Sequence, residues 1–209
     1  MILLTILIPT FTIIFSVILY ILADPTFSLA TQYLSDLGAG PNGSRYVFNI
    51  GIIITSFVMV TFYIHLSLIL FKKQGYKFLI IISFILGIVS SIGTFFVGVF
   101  PINVTQEVHN CFAGFFFLGG LGAAFFYTIT EFTTPNFSKI QAFTGVLVIL
   151  SFFIFIVFNG LTFFNPGQFE AESHITEWTL FFTLIFWMVE HATIVFKLNF
   201  RKKGRSEKI

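Results

Sequence analysis

Six apolar stretches, each near or above the ~20 residues a helix needs to cross a bilayer, run at about 2–23, 46–71, 78–100, 109–130, 143–163 and 175–196. Lipid offers no hydrogen bonds, so such stretches must satisfy their backbone groups internally as helices. The chain is therefore expected to be an all-α membrane protein, a bundle of about six transmembrane helices. Composition excludes a water-soluble alternative: 56% of residues are hydrophobic and 10% charged, against roughly 25% charged in soluble domains. The 33 phenylalanines are spread over every third of the sequence, which predicts one membrane domain over 1–200 and a basic tail at 201–209.

The breaks between stretches carry turn residues. Pro25, Gly38, Gly40, Pro41, Asn42 and Gly43 mark the first, Lys72 to Lys77 the second, Pro101 to Val108 the third, Glu131 to Gln141 the fourth, and Phe164 to His174 the fifth. The opening stretch lacks a basic start and exceeds the ~7–15-residue core of a secretory signal. It is expected to stay in the mature chain as the first helix. Asn42-Gly43-Ser44 and Asn103-Val104-Thr105 are glycosylation triplets in loops expected outside.

Lysine and arginine counts set the orientation. With six crossings, the side bearing the termini holds Lys72, Lys73, Lys77, Lys139 and the tail residues Arg201, Lys202, Lys203, Arg205 and Lys208; the other side holds only Arg45. Both termini are therefore expected in the cytoplasm, with the chain in the plasma membrane. The tail suits anionic lipid headgroups, which makes membrane lipids the expected partner and leaves no role for nucleic acid. The outer surface gathers Asp24, Asp36, Glu107, Glu170, Glu172 and Glu177.

Small residues predict tight helix contacts. Ser83, Gly87, Ser91, Thr94 and Gly98 recur at spacings of three and four in the third helix, and Gly119, Gly120, Ala123 and Ala124 offer a matching surface in the fourth. A packed bundle without a pore accounts for this pattern. The single cysteine, Cys111, excludes an intrachain disulfide and reads as a packing residue.

Residues able to carry chemistry fall in two groups. Outside, Ser35, Asp36, Asn49, Glu107, His109, His174 and Glu177 are expected around one polar pocket, with Ser35, Asp36 and His109 as catalytic candidates. Asp36, His109 and His174 are the candidate metal ligands, because imidazole and carboxylate are the ligands of hydrolytic zinc. No pair shows a recognised metal spacing, however, and Glu170, Glu172 and His174 alternate as a strand or loop would rather than share one helix face. A solvated acidic loop is the competing reading. Within the membrane, His65, Glu190 and His191 are expected at one depth, where a carboxylate needs a partner or a proton. Stacked haems on His109/His174 and His65/His191 are argued against, since the 17 residues between His174 and His191 turn a helix by about 260°.

Ser35-Asp36-Leu37-Gly38, then Asn49 and Gly51, then Gly98-Val99-Phe100-Pro101 and His109-Asn110 resemble a family of prokaryotic six-helix membrane proteins catalogued as domain of unknown function 998. The resemblance covers most of the chain and implies six helices with an outward polar cluster, but no established activity. The family commonly shows an acidic-arginine pair and a later tryptophan near its sixth helix; Trp187 fits and the arginine is missing. A looser similarity links the chain to ceramidase-type membrane hydrolases, though their histidine pair four residues apart on the last helix is absent. The function expected is binding of a lipid or protein partner in the outer pocket. A metal-assisted lipid hydrolase is the alternative, and a transporter, for which no internal repeat speaks, the weaker one.

Overall fold

A computed structural model describes the backbone of residues 2–206 and the side chains of residues 7–193. The side chains of the basic tail lie outside the described residues. The described backbone holds α1 (Ile2–Ala23), α2 (Ser44–Lys72), α3 (Lys77–Val99), α4 (Gln106–Thr133), α5 (Lys139–Phe164) and α6 (Glu170–Ser206), plus a 3-10 helix at Leu34–Ala39. The chain is an integral membrane protein of all-α class. Among the described residues, α2, α3, α4 and α5 are long and apolar enough to cross a membrane, and α1 is apolar over Leu7–Ala23. Up to His191, six titratable residues, Glu170, Glu172, His174, Glu177, Glu190 and His191, dilute the apolar character of α6.

Sequence neighbours pack in turn, and α1 closes the ring on α6. The α3–α4 seam is the tightest. A Cβ on Gly93 would stand 2.4 Å from the Phe116 amide nitrogen and 2.6 Å from the Phe112 carbonyl oxygen, so the two backbones touch as small-residue membrane packing requires. The expected small-residue face of α3 turns instead to α2, where a Cβ on Gly87 would strike the Tyr63 ring and one on Gly98 the Asn49 carbonyl. Its hydroxyls are satisfied by their own helix, Ser91 donating to the Gly87 carbonyl (2.8 Å) and Thr94 to that of Ser90 (3.0 Å). The core combines Tyr63, Tyr127, Phe152 and Trp187, all buried. Tyr63 and Tyr127 stack, and the Tyr127 hydroxyl pairs with Ser67 Oγ at 2.7 Å. Outward-facing Phe57, Phe78, Ile140 and Phe153 are exposed, as expected of a surface solvated by lipid. Cys111, expected to pack inside, is exposed on α4.

Two element boundaries differ from expectation. The segment holding Glu170, Glu172 and His174 is the start of α6 rather than a loop. Carboxylates suit the positive end of a helix, and Glu170 accepts the Gly167 N–H at 3.2 Å. At the other end of the bundle α4 runs on through Glu131 to Thr133, stopping only where Pro135 follows. There Lys73 Nζ donates to the Asn136 carbonyl at 2.5 Å, joining the α2–α3 and α4–α5 turns.

Candidate functional site

The long α1–α2 connection does not hang free, because its backbone is pinned to the first turns of α6. The Leu34 amide donates to Glu177 Oε2 at 2.6 Å, Trp178 Nε1 donates to the Gln32 carbonyl at 3.0 Å, and His174 Nδ1 donates to that of Ala30 at 3.0 Å. The Tyr33 hydroxyl pairs with Ser173 Oγ at 3.1 Å, and its ring meets the His174 ring edge-on at 4.1 Å. On the α2 side, Asn49 Nδ2 donates to the Gly38 carbonyl at 3.0 Å, and Ser44 Oγ to that of Leu37 at 3.2 Å. The connection is thus a strap laid across the helix ends, with Leu34 and Leu37 driven fully into the bundle.

Beneath the strap lies a cavity of about 480 Å³. Its lining combines polar side chains, including Ser35, Gln106, His109, Asn110, Asn159 and Glu177, with apolar ones, including Phe48, Ile52, Phe116, Phe155 and Phe181. Gly114 also lines it, and a Cβ there would meet nothing within 4 Å.

Of the expected pocket residues, Ser35, His109 and Glu177 line this cavity. Asn49 holds the strap, and its Oδ1 is buried without a partner. Glu107 is exposed and does not line the cavity. His174 is buried under the strap rather than facing the cavity. Asp36 is half-buried, its Oδ2 accepting the Tyr33 N–H at 2.8 Å. Burial pushes the Asp36 carboxyl above the ordinary carboxylate range, and the Tyr33 amide and the nearby His174 and His109 rings pull it back. Asp36 is therefore the group at which the two histidines meet electrostatically.

His109 is 4% exposed, and its Nδ1 lies 2.8 Å from the Phe100 carbonyl. A carbonyl only accepts, so Nδ1 carries the hydrogen and Nε2 keeps a lone pair in the neutral ring. His174 is fixed the same way by Ala30. In their neutral forms both rings thus keep an Nε2 lone pair. Among the described residues, no three His, Cys, Asp or Glu side chains are gathered so as to hold a metal ion.

The second expected group is rearranged. Of the two histidines expected near Glu190, it is His191 that meets it, Nδ1 to Oε2 at 3.0 Å, and its other partner is Glu131 Oε1, 3.0 Å from Nε2. His65 stands apart, its Nδ1 donating to the Thr61 carbonyl of its own helix at 2.7 Å. An acidic residue just before Thr133-Thr134-Pro135 looks like a loop residue. Nothing local to Glu131 announces a histidine 60 residues away.

These features define a helical integral membrane protein with a strapped, amphipathic cavity at one end of its bundle. The chain belongs to the DUF998 family, described as a protein of unknown function, which it matches over residues 7–193. No curated protein and no solved structure matches it.

Proposed function

We propose that the strapped cavity binds a single-chain amphiphile, a lipid or lipid-like molecule, at the outer surface of a prokaryotic plasma membrane. The observation that carries this reading is one cavity whose lining sets aromatic side chains such as Phe48, Phe116 and Phe155 beside hydrogen-bonding ones such as Asn110, Asn159, His109 and Glu177. That mixture matches a molecule with an apolar tail and a hydrogen-bonding head, and the volume lies within the ~300–1,000 Å³ of small-molecule sites. Among the described residues, the lining holds no lysine or arginine, so a neutral or cationic head is favoured over an anionic one.

In this proposal all six helices cross the membrane and both termini are cytoplasmic, as the basic turns at Lys72–Lys77 and Lys139 support. Single cysteines introduced as Asn42→Cys and Arg205→Cys, each in a Cys111→Ala background, are expected to react with an impermeant reagent in intact cells at position 42 alone. Reaction at position 205 alone would invert the orientation.

A second reading, metal-assisted hydrolysis of the bound lipid, is favoured by one observation: the lone pairs on Nε2 of His109 and His174, the arrangement in which a backbone carbonyl orients a metal-ligating imidazole. Metal analysis and lipid turnover on purified protein separate the two. Binding alone predicts that added lipid is recovered uncleaved, with no stoichiometric zinc. A stoichiometric ion together with cleavage, both lost in His109→Gln at unchanged thermal stability, would establish hydrolysis instead.

A further inference from the structure

At the far end of the bundle from the strap, Glu131 stands two residues before the end of α4. Its carboxylate is 0% exposed, with Oε1 on His191 Nε2. His191 Nδ1 faces two further acceptors, the Trp187 carbonyl at 2.9 Å and Glu190 Oε2 at 3.0 Å. Both ring nitrogens thus look at acceptors only, so at least one proton is shared between His191 and Glu131. With that proton alone, the imidazolium and two carboxylates sum to a net charge of minus one in a low-dielectric seam, a state that favours taking up a second proton.

A second observation points the same way. Three buried polar atoms in this α4–α5–α6 seam lack any partner: Glu131 Oε2, Thr128 Oγ1 and Trp187 Nε1. Thr128 precedes Glu131 by one helical turn, and Trp187 precedes His191 by one turn, with ring centroids 5.1 Å apart. Thr128 Oγ1 and Trp187 Nε1 converge on Gly145 of α5, 2.1 and 3.5 Å from where its Cβ would stand. The seam beside the cluster therefore holds buried polar atoms, an N–H donor and a hydroxyl among them, whose hydrogen bonds are not made.

We propose that Glu131, His191 and Glu190 form a proton-binding site that loads and releases one proton at this end of the bundle. Loading forms an O–H bond on a carboxylate oxygen with a proton taken from water; release breaks that bond, and no electron moves. Glu190 is the entry, because its side chain is 23% exposed whereas those of Glu131 and His191 are sealed. Among the described residues, further polar or charged groups around the site include Thr144 of α5, whose Oγ1 lies 3.4 Å from Glu190 Oε2, Thr193 of α6, which donates to the Glu190 carbonyl at 2.6 Å, and Tyr127 of α4, held by Ser67 of α2. Lys73 stands beyond them, its Nζ 5.2 Å from the centre of the Phe137 ring that stacks on His191.

The test is infrared difference spectroscopy of the full chain in lipid bilayers, stepped from about pH 8 to about pH 5, a window across which an ordinary exposed glutamate stays largely ionised. The carboxylic-acid C=O stretch of an unhydrated carboxyl is expected to rise reversibly, with uptake of about one proton per chain attributable to the cluster. Glu190→Gln and Glu131→Gln are each expected to remove the cluster's share of that rise, about one proton per chain, since either leaves a neutral histidine–glutamate pair that has no charge left to cancel. The buried Glu177 and half-buried Asp36 supply the share that persists in both variants. Should Glu131→Gln fail to fold, the partly exposed Glu190→Gln decides alone. No pH-dependent band in the parent protein, or a full rise surviving in Glu190→Gln, would overturn the proposal.

Discussion

Gly93→Leu is expected to destabilise the bundle by about 3 kcal/mol, the upper part of the range for overpacking a well-filled interior. The neighbours that a new Cβ would strike, Phe116 N at 2.4 Å and Phe112 O at 2.6 Å, are backbone atoms. Backbone cannot swing aside as a side chain can, so α3 and α4 must separate along the seam. Gly160→Ala is the control, since a Cβ there meets nothing within 4 Å inside α5. It should gain about 0.5–1 kcal/mol, the usual return for replacing a mid-helix glycine. Reversible unfolding in mixed detergent measures both; equal effects of the two substitutions would contradict backbone contact at Gly93.

Gly114→Phe is expected to empty the strapped cavity without harming the fold. Gly114 lines the cavity and has open space at its Cβ position, so the ring occupies volume that belongs to the ligand. Affinity for a single-chain amphiphile should fall about tenfold or more, equivalent to at least about 1.4 kcal/mol. Thermal stability should stay within about 0.5 kcal/mol of the parent, as for substitutions that strike nothing.

The helices were legible because uninterrupted apolar runs longer than a bilayer is thick have one solution in lipid. The small-residue faces were legible in part, because close approach in a membrane requires residues of that size. Gly119 of α4 does fall in the α3–α4 seam, but the expected face of α3 turns to α2, with Gly87 against the Tyr63 ring and Gly98 against the Asn49 carbonyl, and Gly93 supplies the contact with α4. Of the site, Ser35, His109 and Glu177 were readable as polar residues at helix ends that the expected topology puts at one surface. The strap was not. Its anchors are the carbonyls of Ala30 and Gln32 and the amide of Leu34, groups present at every residue and so invisible in a sequence. Trp178 and Tyr33 passed as ordinary aromatics for the same reason. Glu131 was misplaced because its burial depends on His191, a contact between helices that no local pattern encodes. Glu170 and Glu172 were misplaced because their alternation with small residues mimics a loop, whereas the start of α6 stabilises both charges.

The strap also explains why Asp36 can be half-buried. Its carboxylate closes the turn by accepting the Tyr33 amide, next to two histidines whose other hydrogen bonds are already made. It lies near both rings, and their fields offset part of the rise that burial imposes on its carboxyl.

Occupancy of the cavity is the central claim, and native mass spectrometry of the protein released from its own membrane reads it most directly. The parent protein is expected to carry one amphiphile per chain, and Gly114→Phe, folded to the same extent, to carry none. A parent protein that emerges free of bound lipid under conditions that preserve its fold, or a Gly114→Phe variant that retains the same adduct at the same occupancy, would contradict it.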